Sequence, residues 1–330
     1  MGEATIRDVA RRAEVSVASV SRALNGLDNV SAETRDRVMA AATELGYVPH
    51  AGARSLSLAR AHTIGVVLPD LHGEFFSEIV RGMDREASRH GYLLLLSNMH
   101  AGDEQAGTAL RAMWGRVDGL LVMAPHVPPE LLDKALPGGL PALLINTPAV
   151  SQPRPRLRLD NLAGAEAVVR HLVATGRTRI AHISGPEGNI DAAERAEGYT
   201  RALAANAPGA EPLIIPGDFT EEAGEAAAQR ILSGEIACDA VFAGNDMMAV
   251  GCLHALRSAG ADVPGDVAIA GFDDIPIARY LGLTTVQVRI AELGARAVGR
   301  LIDLLSDRAE DEADELHRPA LVVRATTGRQ

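Results

Sequence analysis

Residues 5–25 read T-I-R-D-V-A-R-R-A-E-V-S-V-A-S-V-S-R-A-L-N, and the spacing of apolar and capping residues predicts two short helices joined by a tight turn. Thr5 is a good N-cap, with Asp8 three residues on to meet the orphan amides and the positive end of the helix dipole. Ile6, Val9, Ala10 and Ala13 recur at helical spacing and form one apolar face. Ser16 caps a second helix that starts at Val17 and runs to Asn25, with Gly26 just beyond as the C′ residue. In it Val20 and Leu24 turn inward, while Val17 with Ser21 and Ala18 with Arg22 pair on the outward face. A third helix, capped by Ser31 with Glu33 in its first turn, carries Val38, Met39, Ala42 and Leu45 inward and stops at Gly46. It braces the first two.

The outward face consists of small side chains ending in one arginine, which suits the major groove of DNA. Short residues let a helix approach the base edges, Val17 and Ala18 can touch thymine methyls, and Arg22 can donate two bonds to guanine. The same residues are compatible with an ordinary three-helix cap bearing a solvated arginine. The segment resembles the N-terminal domain of the LacI/GalR (lactose-repressor) family of bacterial transcription regulators, and the likeness continues through N-V-S-A-E-T-R-D-R-V, L-G-Y-V-P and A-R-S-L. The resemblance implies that Thr5, Ser16, Val17, Ala18, Ser21, Arg22 and Asn25 meet double-stranded operator DNA in the major groove. One departure is Glu14, where the family usually has glycine; if that turn needs positive φ, the glutamate costs ~1–2 kcal/mol.

After Tyr47 and Pro49, H-A-G-A-R-S-L-S-L-A-R reads as a linker whose helix is marginal in isolation. The resemblance implies a hinge that folds on the operator, with Leu56 wedged into the minor groove, Ala53 beside it, and Arg54 and Arg60 against phosphates. Gly52 weakens that helix by about 1 kcal/mol relative to alanine, so its ordering should lean on DNA. Residues 1–60 carry a net charge of +1 in a chain of −11, leaving −12 for the remainder. An acidic body repels DNA, so affinity must come from the headpiece, doubled in a dimer.

From Thr63 onward, short apolar runs alternate with helical patterns: T-I-G-V-V-L-P, a helix over 76–90, Y-L-L-L-L-S-N, G-L-L-V-M-A-P and L-L-I-N. The second half repeats the alternation with R-I-A-H-I-S-G, P-L-I-I-P-G-D, D-A-V-F-A-G-N-D and V-A-I-A-G-F-D-D. Strands alternating with helices predict doubly wound parallel sheets, and two such halves bind ligands where their strand ends face each other. This resembles the periplasmic-binding-protein-like α/β core of the same family. The expected organisation is therefore an all-α helix-turn-helix domain at 1–48, a hinge at 49–60 and an effector-binding and dimerisation core at 61–330. Within the core, one lobe is expected at about 61–159 with 290–318 and the other at about 160–289 with 319–330.

Polar residues at the strand ends are the candidate ligand contacts. Asp70, Asn146, Arg195, Asn245 and Asp273 offer carboxylate, amide and guanidinium groups of the kind a polyhydroxylated ligand needs, since each hydroxyl both donates and accepts. In the family, residues matching Arg195, Asn245 and Asp273 are recurrent effector contacts. Asp246, Asp274 and the Asp160–Asn161 pair read instead as turn or cap residues. Aromatics are scarce, five Phe, four Tyr and one Trp, yet Phe75, Phe76 and Phe219 follow strands; Phe75 and Phe219 are read as cleft residues and Phe76 as core. A sugar face packs on such rings, although a purine or nucleoside would also stack there. Val288 stands where the family often has glutamine, with Gln287 one place early, which puts contacts from that strand in doubt.

Other functions fit less well. No G-x-x-x-x-G-K-S/T loop, H-E-x-x-H, G-x-S-x-G elbow or G-x-G-x-x-G after the first strand occurs, so a sugar-modifying enzyme has no visible machinery and no cofactor or metal is expected. A sugar-binding receptor would leave residues 1–60 without a role and would need an export signal that the N-terminus does not resemble. The longest apolar runs are too short to span a bilayer, which points to a cytoplasmic protein without membrane association. Cys238 and Cys252 lack metal-ligand spacing and read as buried thiols, and His182 as a core histidine. No leucine-heptad tail follows L-V-V-R-A-T, so a twofold homodimer is expected, each protomer reading half a palindrome; D-R-A-E-D-E-A-D-E-L-H-R reads as a solvated loop.

Overall fold

The computed structural model describes residues 4–26, 29–48, 60–99, 103–136, 138–306, 308 and 314–328. Its contacts divide the chain into two units, residues 1–63 with 115–118, and residues 64–114 with 119–330.

In the first unit α1 (Ile6–Arg12), α2 (Val17–Leu24) and α3 (Ala32–Glu44) form where the caps predict. The Thr5 backbone N–H and hydroxyl donate to Asp8 Oδ2 at 3.0 and 2.6 Å, and the Asp8 N–H donates back to Thr5 Oγ1 at 3.4 Å. These bonds hold the Asp8 carboxyl below the usual carboxylate range. Ser16 accepts the Ser19 N–H at 3.1 Å, and Ser31 that of Thr34 at 3.3 Å. Val9, Ala10, Ala13, Val20, Ala23, Val38, Ala41 and Ala42 make the small core. Two residues expected inside are not: Met39 is 50% and Leu45 36% exposed. Two short helices cover a narrow stripe of α3, so Ala41 takes the inward place and Met39, about 100° around the helix from Val38, faces water.

Glu14 adopts φ 53°, the left-handed conformation that the turn between α1 and α2 requires. Glu14→Gly should therefore stabilise this unit by about 1 kcal/mol net, the relief of left-handed strain exceeding the extra freedom glycine gives the unfolded chain. Native-state hydrogen exchange of the α1 and α2 amides measures this; unchanged or faster exchange in the variant would refute it.

The second unit holds two α/β lobes. In the first, β1 (Thr63–Leu68), β2 (Leu93–Asn98), β3 (Gly119–Met123), β4 (Ala142–Ile145), β5 (Arg156–Leu159) and β11 (Glu315–His317) lie in the order β11-β5-β4-β3-β1-β2. Helices α4 (Glu74–Arg89), α5 (Asp103–Ala112), α6 (Pro129–Ala135) and α12 (Ile290–Leu305) belong with this sheet. In the second lobe β6 (Ile180–Ile183), β7 (Leu213–Ile215), β8 (Ala240–Ala243) and β9 (Ala268–Ala270) run parallel in the order β7-β6-β8-β9. It carries α7 (Asn161–Ala174), α8 (Ile190–Asn206), α9 (Glu221–Leu232), α10 (Asp246–Ser258) and α11 (Pro276–Leu281). β10 (Thr285–Gln287) pairs antiparallel with β12 (Ala320–Val322). The chain passes between lobes near residues 160, 289 and 318.

Two strands differ from the sequence reading. R-L-R-L at β5 alternates because one face is covered, and E-L-H, expected in a solvated loop, pairs with it as β11 in the register Glu315↔Leu157 to His317↔Leu159. Arg296 and Arg300 hold Glu315, Arg296 Nε bonding both carboxylate oxygens at 3.1 Å, which fixes this residue at the sheet edge. Helices pack at backbone distance where glycines permit it: a Cβ on Gly82 would overlap the Ala291 carbonyl, and Gly224 and Gly251 face the carbonyls of Met248 and Glu221 across the α9–α10 contact. Cys238 and Cys252 are buried free thiols, pushed up to about 11 and about 12 by burial. His182 sits wholly inside between Tyr199 and Phe242, at ring distances of 5.2 and 4.7 Å, and donates from Nδ1 to the Phe242 carbonyl. Burial pushes it down to about 4, so it is a neutral core residue.

Candidate binding cavity and recognition surface

A cavity of about 500 Å³ opens between the two lobes, at the carboxyl ends of the strands in both sheets. Pro69 and Asp70 enter it from the end of β1, Met123 and Pro125 from β3, Phe219 from β7, Asn245 from β8 and Asp273 from β9. This is where doubly wound sheets leave a crevice that their own backbone does not fill.

Arg195 lies at the floor, 5% exposed. It projects from α8, whose Asn189 cap accepts the Ala192 N–H at 3.1 Å. Its Nε donates to Asn161 Oδ1 at 2.9 Å and its Nη1 to the Gly244 carbonyl at 2.6 Å. The guanidinium lies over the Phe272 ring, 3.9 Å from its centroid, and 5.8 Å from that of Phe219. Asn161 in turn donates to Asp191 Oδ1 at 2.7 Å and Glu194 Oε2 at 3.1 Å. The planar group is thus locked in place by a buried network rather than left to search for a ligand.

Asp273 faces this arginine at φ 120°, with Oδ1 3.7 Å from Arg195 Nη2 and buried without a hydrogen-bond partner. An ion pair at that separation is not a hydrogen bond, so the oxygen retains its accepting capacity. Burial pushes the Asp273 carboxyl up to about 7, against the pull of Arg195, and pushes Asp191 up to about 6 for the same reason. Asp246 lies behind them, raised well above the usual carboxylate range by burial and by Asp273, and accepts from Thr285 Oγ1 and the Ile275 N–H.

Of the expected contacts, Asp70, Phe75, Arg195, Phe219, Asn245 and Asp273 line the cavity. Asn146 is not among the lining residues: at φ 43° its Oδ1 accepts the Leu159 N–H at 2.8 Å, tying β4 to β5, and its side chain also bonds Asp191, which does line the cavity. Asn245 caps α10, accepting the Met248 N–H at 3.0 Å while donating to the Phe219 carbonyl at 3.0 Å. Phe219 itself has φ 74°, and its ring fills the space that a Cβ on Gly185 would occupy. Phe76, expected in the core, also lines the cavity, edge-on to Phe75 at 5.3 Å. Val288 is buried, and Gln287 bonds Asp274 at 2.8 Å. Sequence reading missed Asp191, although it lies four residues before Arg195 on the same helix face. It also missed Glu187, Asp218 and His72, which have loop positions and no motif.

Across the mouth, His72 Nε2 of the first lobe lies 3.6 Å from Glu221 Oε2 of the second. Nearby, Glu74 Oε2 accepts the Ile277 N–H at 3.1 Å.

On the first unit, α2 turns Val17, Ala18 and Arg22 outward, with Val17 42% exposed, while Ser21 is half-buried and Asn25 Nδ2 approaches Ser21 Oγ at 3.4 Å. Thr5 and Ser16 both serve as caps. Ala53, Arg54 and Leu56 lie outside the described residues.

Residues 5–50 match the family profile of bacterial regulatory proteins, lacI family, and residues 169–327 that of a periplasmic binding protein-like domain. The HTH-type transcriptional repressor CytR of Escherichia coli (strain K12) is 35% identical over 328 residues, covering 98% of this chain and 96% of that protein. The chain belongs to the LacI family. The ribose operon repressor of the same organism is 36% identical over 307 residues, covering 91% of this chain and 92% of its own. The crystal structure of the Lac repressor dimer bound to operator and the anti-inducer ONPF superposes with a TM-score of 0.88 at 30% identity, covering 99% of this chain and 100% of that one. This LacI-family protein is accordingly a DNA-binding transcriptional regulator controlled by small-molecule effectors, and not an enzyme. Among the described residues no helix is long and apolar enough to cross a membrane.

Proposed function

We propose that this regulator is a cytoplasmic, homodimeric repressor of a carbohydrate-utilisation operon, with residues 1–48 reading operator half-sites, 49–60 serving as hinge and a sugar-like effector occupying the interlobe cavity. The observation that carries the effector class is the fixed guanidinium of Arg195 beside the unpartnered Asp273 oxygen, with the Phe75 and Phe219 rings on the same cavity. Donor, acceptor and apolar ring surfaces are the three things a sugar presents in complement. Solved relatives support it: the transcriptional regulator CelR is in complex with cellobiose at 31% identity and a TM-score of 0.71, and a LacI family regulator from Enterococcus faecium holds ribose at 26% and 0.73. Asp70, Phe75, Arg195, Phe219, Asn245 and Asp273 are the proposed effector contacts. Thr5, Ser16, Val17, Ala18, Ser21, Arg22 and Asn25 are the proposed major-groove surface, and Ala53, Arg54 and Leu56 the hinge contacts. Control follows from a difference in effector affinity between the DNA-competent and DNA-released states.

A thermal-shift screen of pentoses, hexoses, disaccharides and nucleosides tests the effector class, because a ligand at 100 times its Kd stabilises by roughly 2.7 kcal/mol. A response to nucleosides alone would replace sugar by nucleoside as the effector class. For the headpiece, Arg22→Ala should weaken binding to the preferred operator by about 1–3 kcal/mol and flatten base preference at one position of each half-site. Equal loss on operator and random DNA, measured by competition, would move Arg22 from base contact to phosphate contact.

A further inference from the structure

Resting on that reading, we infer that the cavity selects its effector by charge: it takes the free, uncharged or amino-bearing form of a polyhydroxylated ligand and rejects the phosphate ester of the same molecule. A crevice at the carboxyl ends of parallel strands is ordinarily a good phosphate site, because helix N-termini converge there with unpaired amides and positive dipole ends. Here three of those ends carry a side-chain cap and all four carry acidic first turns. Asn189, Thr220 and Asn245 cap α8, α9 and α10 by accepting the N–H groups of Ala192, Ala223 and Met248. Each of these helices also carries its own carboxylate in the first turn, Asp191, Glu221 and Glu222, and Asp246, and α4 carries Glu74. The first-turn carboxylates set negative charge against the dipole that would otherwise draw a phosphate, at the three capped helices and at α4, which has no side-chain cap.

The side chains reinforce this. Among the described lining residues five are acidic, Asp70, Glu187, Asp191, Asp218 and Asp273, and one is an arginine. Arg195 spends Nε on Asn161 and Nη1 on the Gly244 carbonyl, and its charge faces the Asp273 carboxyl at 3.7 Å. The two lining histidines, His72 and His126, do not restore the balance, since His72 faces Glu221. What the site still lacks is a donor: Asp273 lines the cavity, and its Oδ1, buried beside Arg195, has no hydrogen-bond partner. A hydroxyl or ammonium group satisfies it and a phosphate oxygen repels it. The regulator therefore senses its ligand upstream of the phosphoryl-transfer reaction that would consume it.

Isothermal titration of the full-length protein at pH 8, where histidine is ordinarily neutral, tests this with ribose, glucose and adenosine against their phosphate monoesters, and with glucosamine as the cationic probe. Every ligand that binds should bind at least about 100-fold more tightly than its ester, and the ratio should shrink as salt is raised from 0.05 to 0.5 M. The double variant Glu187→Gln/Asp218→Asn should narrow the ratio by at least about fivefold. A ratio internal to one variant also separates charge from any loss of folding. An ester that binds as well as its parent overturns the charge inference and leaves the carbohydrate reading intact. Binding by none of the parents overturns both.

Discussion

Arg195→Ala should abolish the effector response, leave operator binding without effector in place, and destabilise the core by about 3 kcal/mol at pH 8. The cost comes from what remains behind: Asn161 Oδ1 and the Gly244 carbonyl lose their donor, and Asp191 and Asp273 lose their counter-charge. Its pH dependence has a definite sign. In the wild type burial already holds Asp273 up to about 7 and Asp191 up to about 6, both above the ordinary value of 3.8 that they regain on unfolding. Between about pH 4 and pH 7 the folded state holds protons that the unfolded chain has released, so these groups subtract stability progressively as pH rises. Without Arg195 both carboxyls rise further, and the penalty grows toward alkaline pH. Urea unfolding at pH 5 and pH 8 measures this; a loss that is equal at both, or larger at pH 5, would contradict the assignment of Arg195 as the counter-charge.

Gly251→Ala should cost about 3 kcal/mol or prevent folding of the second lobe. A Cβ there would lie inside the Glu221 carbonyl, and the facing Gly224 already touches the Met248 backbone, so no flexible side chain can yield. The α9 and α10 axes would have to separate, carrying with them the Thr220 and Asn245 caps that border the cavity. Ligand affinity should therefore fall along with stability. Gly299→Ala in α12 is the control: nothing lies within 4 Å of its Cβ, and removing a helical glycine should stabilise by about 0.5–1 kcal/mol. Matching losses in the two variants, by denaturant titration, would rule out the close approach as the cause.

Local chemistry was legible in the chain, and partnership was not. The caps at Thr5, Ser16 and Ser31 follow from residues within four positions of one another, whereas the left-handed turn at Glu14 was signalled by the family's usual glycine there. Eight strands announce themselves as apolar runs, most of them because both faces are covered, although β2 and β7 leave Leu93, Leu96 and Ile214 exposed; β5 and β11 carry charged residues that hide them. At the cavity, Arg195, Phe219 and Asp273 could be picked out by their position after strands. That Arg195 is held by Asn161, from a helix 34 residues away in sequence, is tertiary information. That the Asn146 side chain is tied to the Leu159 amide and to Asp191 is likewise tertiary information.

The two polar contacts across the cavity mouth, His72 with Glu221 and Glu74 with the Ile277 amide, join the first lobe to the second beside the ligand site. Any ligand that changes the separation of the lobes must break or remake both contacts, and the exposed His72–Glu221 pair resists this by no more than about 1 kcal/mol.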